Sequence, residues 1–197
     1  MKAVHDIPEN YGEILTVDLQ KDKKLAVFIN LAAFLIGVLM FVLMHLFIPI
    51  SALFDFEKGL GMYALRFGVL LVGMILYIVL HEAVHGIFMK LYGAKSVRFG
   101  FTGLYAFAGS ERDCFGKGPY LVIALAPVVL FGVLLALLQA FLPLDAPWLW
   151  VIYIIQTVNV SGAAGDLFVT LRFLSLPRDI LVRDTGTAMT VYAPKPQ

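Results

Sequence analysis

Four long apolar stretches constrain the fold of this 197-residue chain more than any other feature of its sequence. About 20 mostly apolar residues are enough to cross the hydrocarbon core of a bilayer. Hydrophobic residues make up 60% of the chain and charged residues 15%, and a soluble domain of this size could not cover itself with so few polar side chains. The sequence therefore predicts an all-α membrane protein with four transmembrane helices. The predicted spans cover about residues 25–50, 62–92, 119–142 and 147–174.

The chain contains no repeat, low-complexity tract or linker that would divide it. We therefore expect one integral membrane domain over residues 1–197. The first two dozen residues are rich in acidic side chains and contain no apolar run, which is not the pattern of a cleavable signal peptide. Residues 177–197 are predicted to form a loosely held tail.

Lysine and arginine are distributed unevenly among the segments that connect the spans. They are frequent before residue 25, in the 90–118 loop and after the fourth span, whereas the 143–146 turn has none. By the positive-inside rule, both termini and the 90–118 loop should be cytoplasmic in a multi-pass protein of the plasma membrane. The formal net charge of +1 and the scattered basic residues argue against a nucleic acid partner.

The loop between the second and third spans contains an aromatic and glycine-rich segment at residues 97–109. This segment has no helical period, and its composition is typical of one or two short strands or of irregular structure. An unpaired backbone cannot face lipid, so we expect the segment to lie at the membrane interface or inside the protein.

The second apolar stretch ends in the sequence His81-Glu82-Ala83-Val84-His85. Positions i and i+4 share one face of a helix, so the two histidines can hold one metal ion while Glu82 reaches a water molecule on it. Zinc lowers the pKa of such a water toward neutrality, and a carboxylate can accept its proton. The single Cys114 excludes a multi-cysteine site, so histidine and carboxylate ligands are expected.

A structural interpretation of the same residues stays open. Glu82 could pair with Arg66 or with a lysine, and the two histidines could cap a helix end. Ionisable side chains in an apolar segment are costly, however, and such a cost usually marks function. The sequence therefore favours a catalytic metal site.

A hydrolytic zinc site commonly has three protein ligands and one open position. Asp166 is the acidic residue that lies inside an apolar run, after small residues that allow close helix packing. We predict Asp166 as the third ligand, with His45 as an alternative. As a structural alternative, Asp166 could pair with Arg172, although six residues do not bring two side chains to one helical face.

Two further residues stand out in the apolar spans. Asn159 lies nearly two turns before Asp166, so it shares a face with it and could hydrogen-bond a substrate backbone or a developing oxyanion. Equally, an intramembrane asparagine can bond a neighbouring helix. Pro127 should kink the third span and is interpreted as a packing feature.

Four motifs follow one another along the chain: HEAVHGIFMKLYGAK, FGFTGLYAF, ALAP and NVSGAAGDL. As an ordered set they resemble small bacterial membrane proteins that are grouped as putative zincin peptidases and are distantly similar to site-2 proteases. The resemblance implies a catalytic core over about residues 62–174, with His81 and His85 as zinc ligands, Glu82 as the general base and Asp166 as the third ligand. Site-2 proteases usually carry Asn-x-x-Pro and Leu-Asp-Gly, where this chain has Gly162 in place of the proline and Gly165-Asp166-Leu167.

These observations predict a membrane-embedded zinc metalloendopeptidase of the HExxH type, similar to site-2 proteases. It would hydrolyse peptide bonds of a membrane protein or peptide substrate in or next to the lipid bilayer. The alternative is a non-catalytic membrane metal-binding or scaffold protein with the same ligands. A transporter would need more ionisable residues along its spans than the sequence contains.

Overall fold

Long helices account for most of the computed structural model, which describes residues 3–103 and 105–195. Four helical segments are long and apolar enough to cross a membrane, and their ends lie close to those of the predicted spans. The fourth segment consists of two consecutive helices, with a break at Ala163. The helices are α1 (Lys23–Phe47), α2 (Gly59–Leu91), α3 (Lys117–Phe141), α4 (Ala146–Gly162) and α5 (Ala164–Leu174), and a short 3-10 helix covers Ile50–Phe54.

The fold is mostly helical, as predicted, but it is not all-α, because the chain also forms a four-stranded antiparallel sheet. The strands of this sheet are β1 (Tyr11–Asp18), β4 (Cys114–Gly116), β5 (Leu181–Asp184) and β6 (Ala188–Pro194). Their order in the sheet is β1-β6-β5-β4. β1 pairs with β6, which is far from it in the sequence, and no local sequence pattern indicates this pairing.

The prediction of a loosely held tail at residues 177–197 is wrong for residues 181–194, which contain β5 and β6. Met189, Val191 and Ala193 alternate with less buried neighbours along β6 and pack into a core. This period of two is typical of a half-buried strand. It spans only seven residues and includes polar positions, so it is a much weaker sequence signal than the four apolar spans.

The strand-like segment predicted at residues 97–109 contains two short paired strands. β2 (Arg98–Phe101) and β3 (Ala106–Gly109) form an antiparallel hairpin. Leu104, which belongs to the predicted segment, lies outside the described residues. The position of the hairpin at a membrane interface stays a prediction.

By internal contacts the chain divides into two compact units. The first consists of residues 1–29, 80–127 and 165–197 and contains both sheets. Its apolar core is built around Phe115, Ile123, Phe173, Val182 and Val191, all of which are almost fully buried. The arrangement of one integral domain over residues 1–197 stays a prediction.

The second unit consists of residues 30–79 and 128–164. Its small core includes Trp150, whose indole N–H donates to the carbonyl of Pro49 at 3.2 Å. Arg66 is completely buried in this unit, with Nη2 lying 3.6 Å from a carboxylate oxygen of Asp145 and Nη1 lying 4.0 Å from one of Asp55. The guanidinium is therefore balanced by two carboxylates of its own unit.

Asp113 holds the N-terminal segment against the rest of the first unit through hydrogen bonds. One carboxylate oxygen lies 2.5 Å from Nδ1 of His5. The other accepts hydrogen bonds from the backbone N–H of Lys95 and from the hydroxyl of Ser110, at 2.9 and 2.6 Å. Backbone bonds between Val4 and Cys114 complete the attachment. Asp113 is 1% exposed, so its charge depends on these partners.

Asp113→Asn is expected to lower the free energy of unfolding by about 2 kcal/mol near neutral pH, because it replaces a buried charged acceptor that has several donors. Burial by itself raises the pKa of Asp113, but the bonds from Ser110, His5 and the backbone outweigh it and hold the pKa below its usual 3.8. The stability from this carboxylate is thus fully present above pH 3.8 and is lost as the pH falls through the lower folded pKa.

Thermal unfolding of both proteins in detergent, measured from neutral pH into the acid range, checks this expectation. The gap between wild type and Asp113→Asn should be constant above about pH 5 and should narrow in acid. Asp179→Asn, an exposed carboxylate of the same unit, is the matched control. A gap that stays constant into strong acid would contradict the assignment.

Candidate metal centre

His81 and His85 lie one turn apart on the same face of α2. Their ring centroids are 4.9 Å apart, and both side chains are buried. The helix continues through this turn without a break as far as Leu91. The spacing of four residues therefore brings the two imidazoles together, as the sequence pattern predicts.

Asp166 completes a cluster with the two histidines. One of its carboxylate oxygens lies 3.6 Å from Nε2 of His81 and 3.7 Å from Nε2 of His85. One ligand atom from each of the three residues lies within 4.8 Å of the others, and no second group of this kind occurs in the part of the chain that the structure describes. Two imidazole nitrogens and one carboxylate oxygen are a typical donor set for zinc, so these residues fit the ion.

The break between α4 and α5 determines where Asp166 lies. α4 ends at Gly162, and α5 begins at Ala164, which places Asp166 in the first turn of a new helix. A carboxylate is stabilised there by the helix dipole. The partners of Asp166 are therefore the two histidines in the same unit rather than Arg172.

His45, the alternative third ligand, has a local role at the end of α1. Its Nδ1 accepts a hydrogen bond from the backbone N–H of Ile50 at 3.0 Å, which supports the turn into the 3-10 helix. Within the described residues, His45 does not belong to the metal-binding group.

Glu82 follows His81 directly and is partly buried. The backbone of Ala108 in β3 lies close enough to interact with its carboxylate, so the hairpin lies against the turn of α2 that carries His81 and Glu82. Gly86 makes this approach possible, because a Cβ atom there would collide with the ring of Phe99. Gly109 has a similar role, since a Cβ atom at that position would overlap the backbone of Thr185 and Gly186.

A backbone carbonyl orients His85. Nδ1 of His85 donates to the carbonyl oxygen of Ile123 in α3, at 2.9 Å in a buried environment. Metal-binding histidines usually donate their second ring N–H to such an acceptor. Sequence reasoning missed this contact because a main-chain acceptor has no residue-type signature.

A second carboxylate that the sequence did not indicate comes from the C-terminal segment. Asp184 in β5 accepts a hydrogen bond from the hydroxyl of Tyr120 at 2.5 Å and another from the N–H of Gly186 at 2.7 Å. Burial raises the pKa of Asp184 above its usual value in spite of these bonds. The carboxylate is near enough to interact electrostatically with His85 and Asp166. Because Asp184 is far from the HExxH motif in the sequence, no local pattern indicates that it lies near the motif.

Asn159 lies in the second unit and is completely buried. Its Oδ1 accepts a hydrogen bond from the hydroxyl of Tyr77 at 3.1 Å, and its Nδ2 donates to the carbonyl of Val128 at 3.1 Å. These bonds connect α4 with α2 and α3 within that unit. The predicted role of Asn159 in substrate binding stays a prediction.

A family model described as "putative zincin peptidase" matches residues 74–181, which is more than half of the chain. The chain belongs to this family. The match begins in α2 before the HExxH motif and ends in β5, so it covers His81, Glu82, His85 and Asp166. The sequence-based assignment to the putative zincin peptidases is confirmed, and the more distant similarity to site-2 proteases stays a prediction.

A relative of this chain occurs in Pyrococcus woesei and is described as an "uncharacterized 24.7 kDa protein in gap 5'region". The two are 29% identical over 133 residues, which cover 65% of this chain and 56% of the relative. The match thus spans little more than half of that relative's length. No solved structure matches the chain.

Proposed function

We propose that this protein is a membrane-embedded zinc metallopeptidase that hydrolyses peptide bonds in or next to the bilayer. The observation that carries the proposal is the convergence of Nε2 of His81, Nε2 of His85 and a carboxylate oxygen of Asp166, with Glu82 on the adjacent position of the same helix. Four apolar helices and membership of the zincin family support the same conclusion.

In this proposal His81, His85 and Asp166 hold the ion, and their three donors leave a fourth position for water or substrate. Bound zinc would supply the Lewis acid that makes water nucleophilic near neutral pH. Glu82 would accept the proton of the attacking water and deliver it to the leaving amine. Its contact with the backbone of Ala108 would orient the carboxylate for this transfer.

We propose that the substrate is a membrane protein or peptide that unwinds locally. The β2–β3 hairpin is the candidate docking element, because β3 contacts Glu82 and an extended peptide can add to the edge of a short sheet through its main chain. Strand addition of this kind would present a scissile carbonyl beside the catalytic turn. A contact of Asn159 with substrate would add to or replace its bonds to Tyr77 and Val128.

We also propose that both termini lie on the cytoplasmic side of the plasma membrane, which follows from the distribution of lysine and arginine. In this orientation the HExxH motif, at the end of α2 that leads into the 90–118 loop, lies near the cytoplasmic side. The catalytic arrangement would then resemble that of site-2 proteases, and the reaction would occur at or just inside the membrane surface.

Two measurements on the purified full-length protein test this function. Anomalous diffraction at the zinc edge should place one ion between His81, His85 and Asp166. A cleavage assay with fluorogenic and transmembrane peptides should show activity that a chelator removes and added zinc restores. Zinc at the site without cleavage of either substrate class would favour the non-catalytic metal-binding or scaffold alternative. The absence of zinc from the site would overturn the proposal.

A further inference from the structure

Pro127 lies inside α3 and leaves one carbonyl of that helix without its usual donor. In an α-helix the carbonyl of residue i accepts from the N–H of residue i+4, and proline has no N–H. The affected carbonyl belongs to Ile123, and the proline ring also pushes it away from its helical position. Because Ile123 is 1% exposed, its carbonyl needs a partner from the protein.

His85 provides this partner. Its Nδ1 lies 2.9 Å from the Ile123 oxygen. A carbonyl can only accept a hydrogen bond, so the proton of this contact belongs to Nδ1. A neutral imidazole carries one ring proton, which leaves Nε2 with a free lone pair. Nε2 is the atom that lies 3.7 Å from the Asp166 carboxylate.

We propose that Pro127 is a positioning residue of the metal centre. By leaving the Ile123 carbonyl open, it holds His85 in the orientation and tautomer that direct Nε2 toward Asp166. The inference rests on the proposed metal site and assigns α3 a part in it. It also gives a function to the proline of the ALAP motif, which sequence reasoning had interpreted as a packing feature. Both contacts lie within the first unit.

Pro127→Ala separates this role from a purely structural one. Alanine restores an N–H at position 127, so the helix can reclaim the Ile123 carbonyl in competition with His85. Changes to the outer partner of a metal-binding histidine typically lower metal affinity by about 10–100-fold, and we expect a loss in that range. Alanine is the best helix former, so α3 itself should not be weakened. A merely structural proline would instead alter thermal stability and leave zinc affinity unchanged.

Two further variants serve as controls, one for the removal of a proline elsewhere and one for the removal of the ring at position 127. Pro147→Ala removes a proline from the first turn of α4, where no helical donor is missing, and it should leave zinc affinity unchanged. An α-hydroxy acid with the alanine side chain at position 127 lacks both the ring and the N–H. It should therefore retain an affinity close to that of the wild type.

Zinc affinity is measured on the full-length protein in detergent by competition with a chromophoric chelator. Nitrogen-15 spectra of the metal-free protein with labelled histidine report, in parallel, which ring nitrogen of His85 carries the proton. We expect Nδ1 to be protonated in the wild type and this preference to weaken in Pro127→Ala. Equal zinc affinity of Pro127→Ala and wild type would overturn the positioning role.

The spectra also keep the inference testable if Pro127→Ala does not fold. They are read for the neutral form of His85, which carries one ring proton. A proton at Nε2 in the neutral, metal-free wild type would overturn the role by itself, and a proton at Nδ1 would support it. Failure of the proposed function has a different signature. In that case wild-type protein would bind no zinc, or its zinc binding would not depend on Asp166.

Discussion

Glu82→Gln is expected to lower the rate of peptide cleavage by a factor of about 10²–10⁴ and to leave zinc affinity nearly unchanged. Glutamine has the same shape as glutamate but cannot accept a proton at neutral pH. The ligand atoms belong to His81, His85 and Asp166, so the change does not remove a donor to the metal. The attacking water and the leaving amine would both lose their proton carrier.

The experiment compares the rate of peptide cleavage and the zinc content of the same purified samples. Glu57→Gln is the matched control, because it removes an exposed carboxylate outside the metal-binding group. It should change neither quantity. Cleavage by Glu82→Gln at the wild-type rate would refute the role of Glu82 as general base. A loss of zinc from this variant would show that Glu82 takes part in metal binding.

Replacing any one of the three proposed ligands is expected to abolish both zinc binding and cleavage. His85→Ala removes an imidazole nitrogen, and Asp166→Asn removes the negative charge that lies within 3.7 Å of both histidines. The loss of zinc affinity should exceed the roughly 10–100-fold loss that follows the removal of a residue that only hydrogen-bonds to a metal ligand. A zinc site with only two protein donors has too few ligands to retain the ion.

Chelator competition on each variant measures this effect, and His45→Gln is the matched control. His45 bonds to the backbone N–H of Ile50 at the end of α1, and its replacement should leave zinc affinity unchanged. A large loss of affinity in His45→Gln would mean that the alternative third ligand binds the ion. If Asp166→Asn retained zinc at the wild-type affinity, the carboxylate of Asp166 would not be a ligand of the ion.

Local periodicity explains which parts of the architecture the sequence could predict. The four apolar helical segments appear in the sequence as long, mostly apolar runs, because a helix that crosses a membrane must be apolar over most of its length. His81 and His85 share a face because they lie four positions apart on one helix, so their proximity depends only on helix geometry. The rarity of acidic residues in the spans singled out Asp166 without any knowledge of the fold.

Contacts between distant segments were decided by the tertiary structure. β1 pairs with β6, although most of the chain separates the two strands. Asp184 lies close enough to interact with His85 and Asp166, although it belongs to a segment that the sequence predicts to be loose. The contact between His85 and Ile123 uses a main-chain oxygen, which is chemically identical in every residue.

The sequence by itself thus determined the apolar helices and the candidate ligands, because these depend on residue type and on spacing along one helix. The tertiary structure decided that Asp166, and not His45, lies beside the two histidines, and it decided which backbone group orients His85. It also decided that the two ends of the chain join in one sheet. Such contacts depend on how segments far apart in the sequence pack together, and local patterns carry no record of that packing.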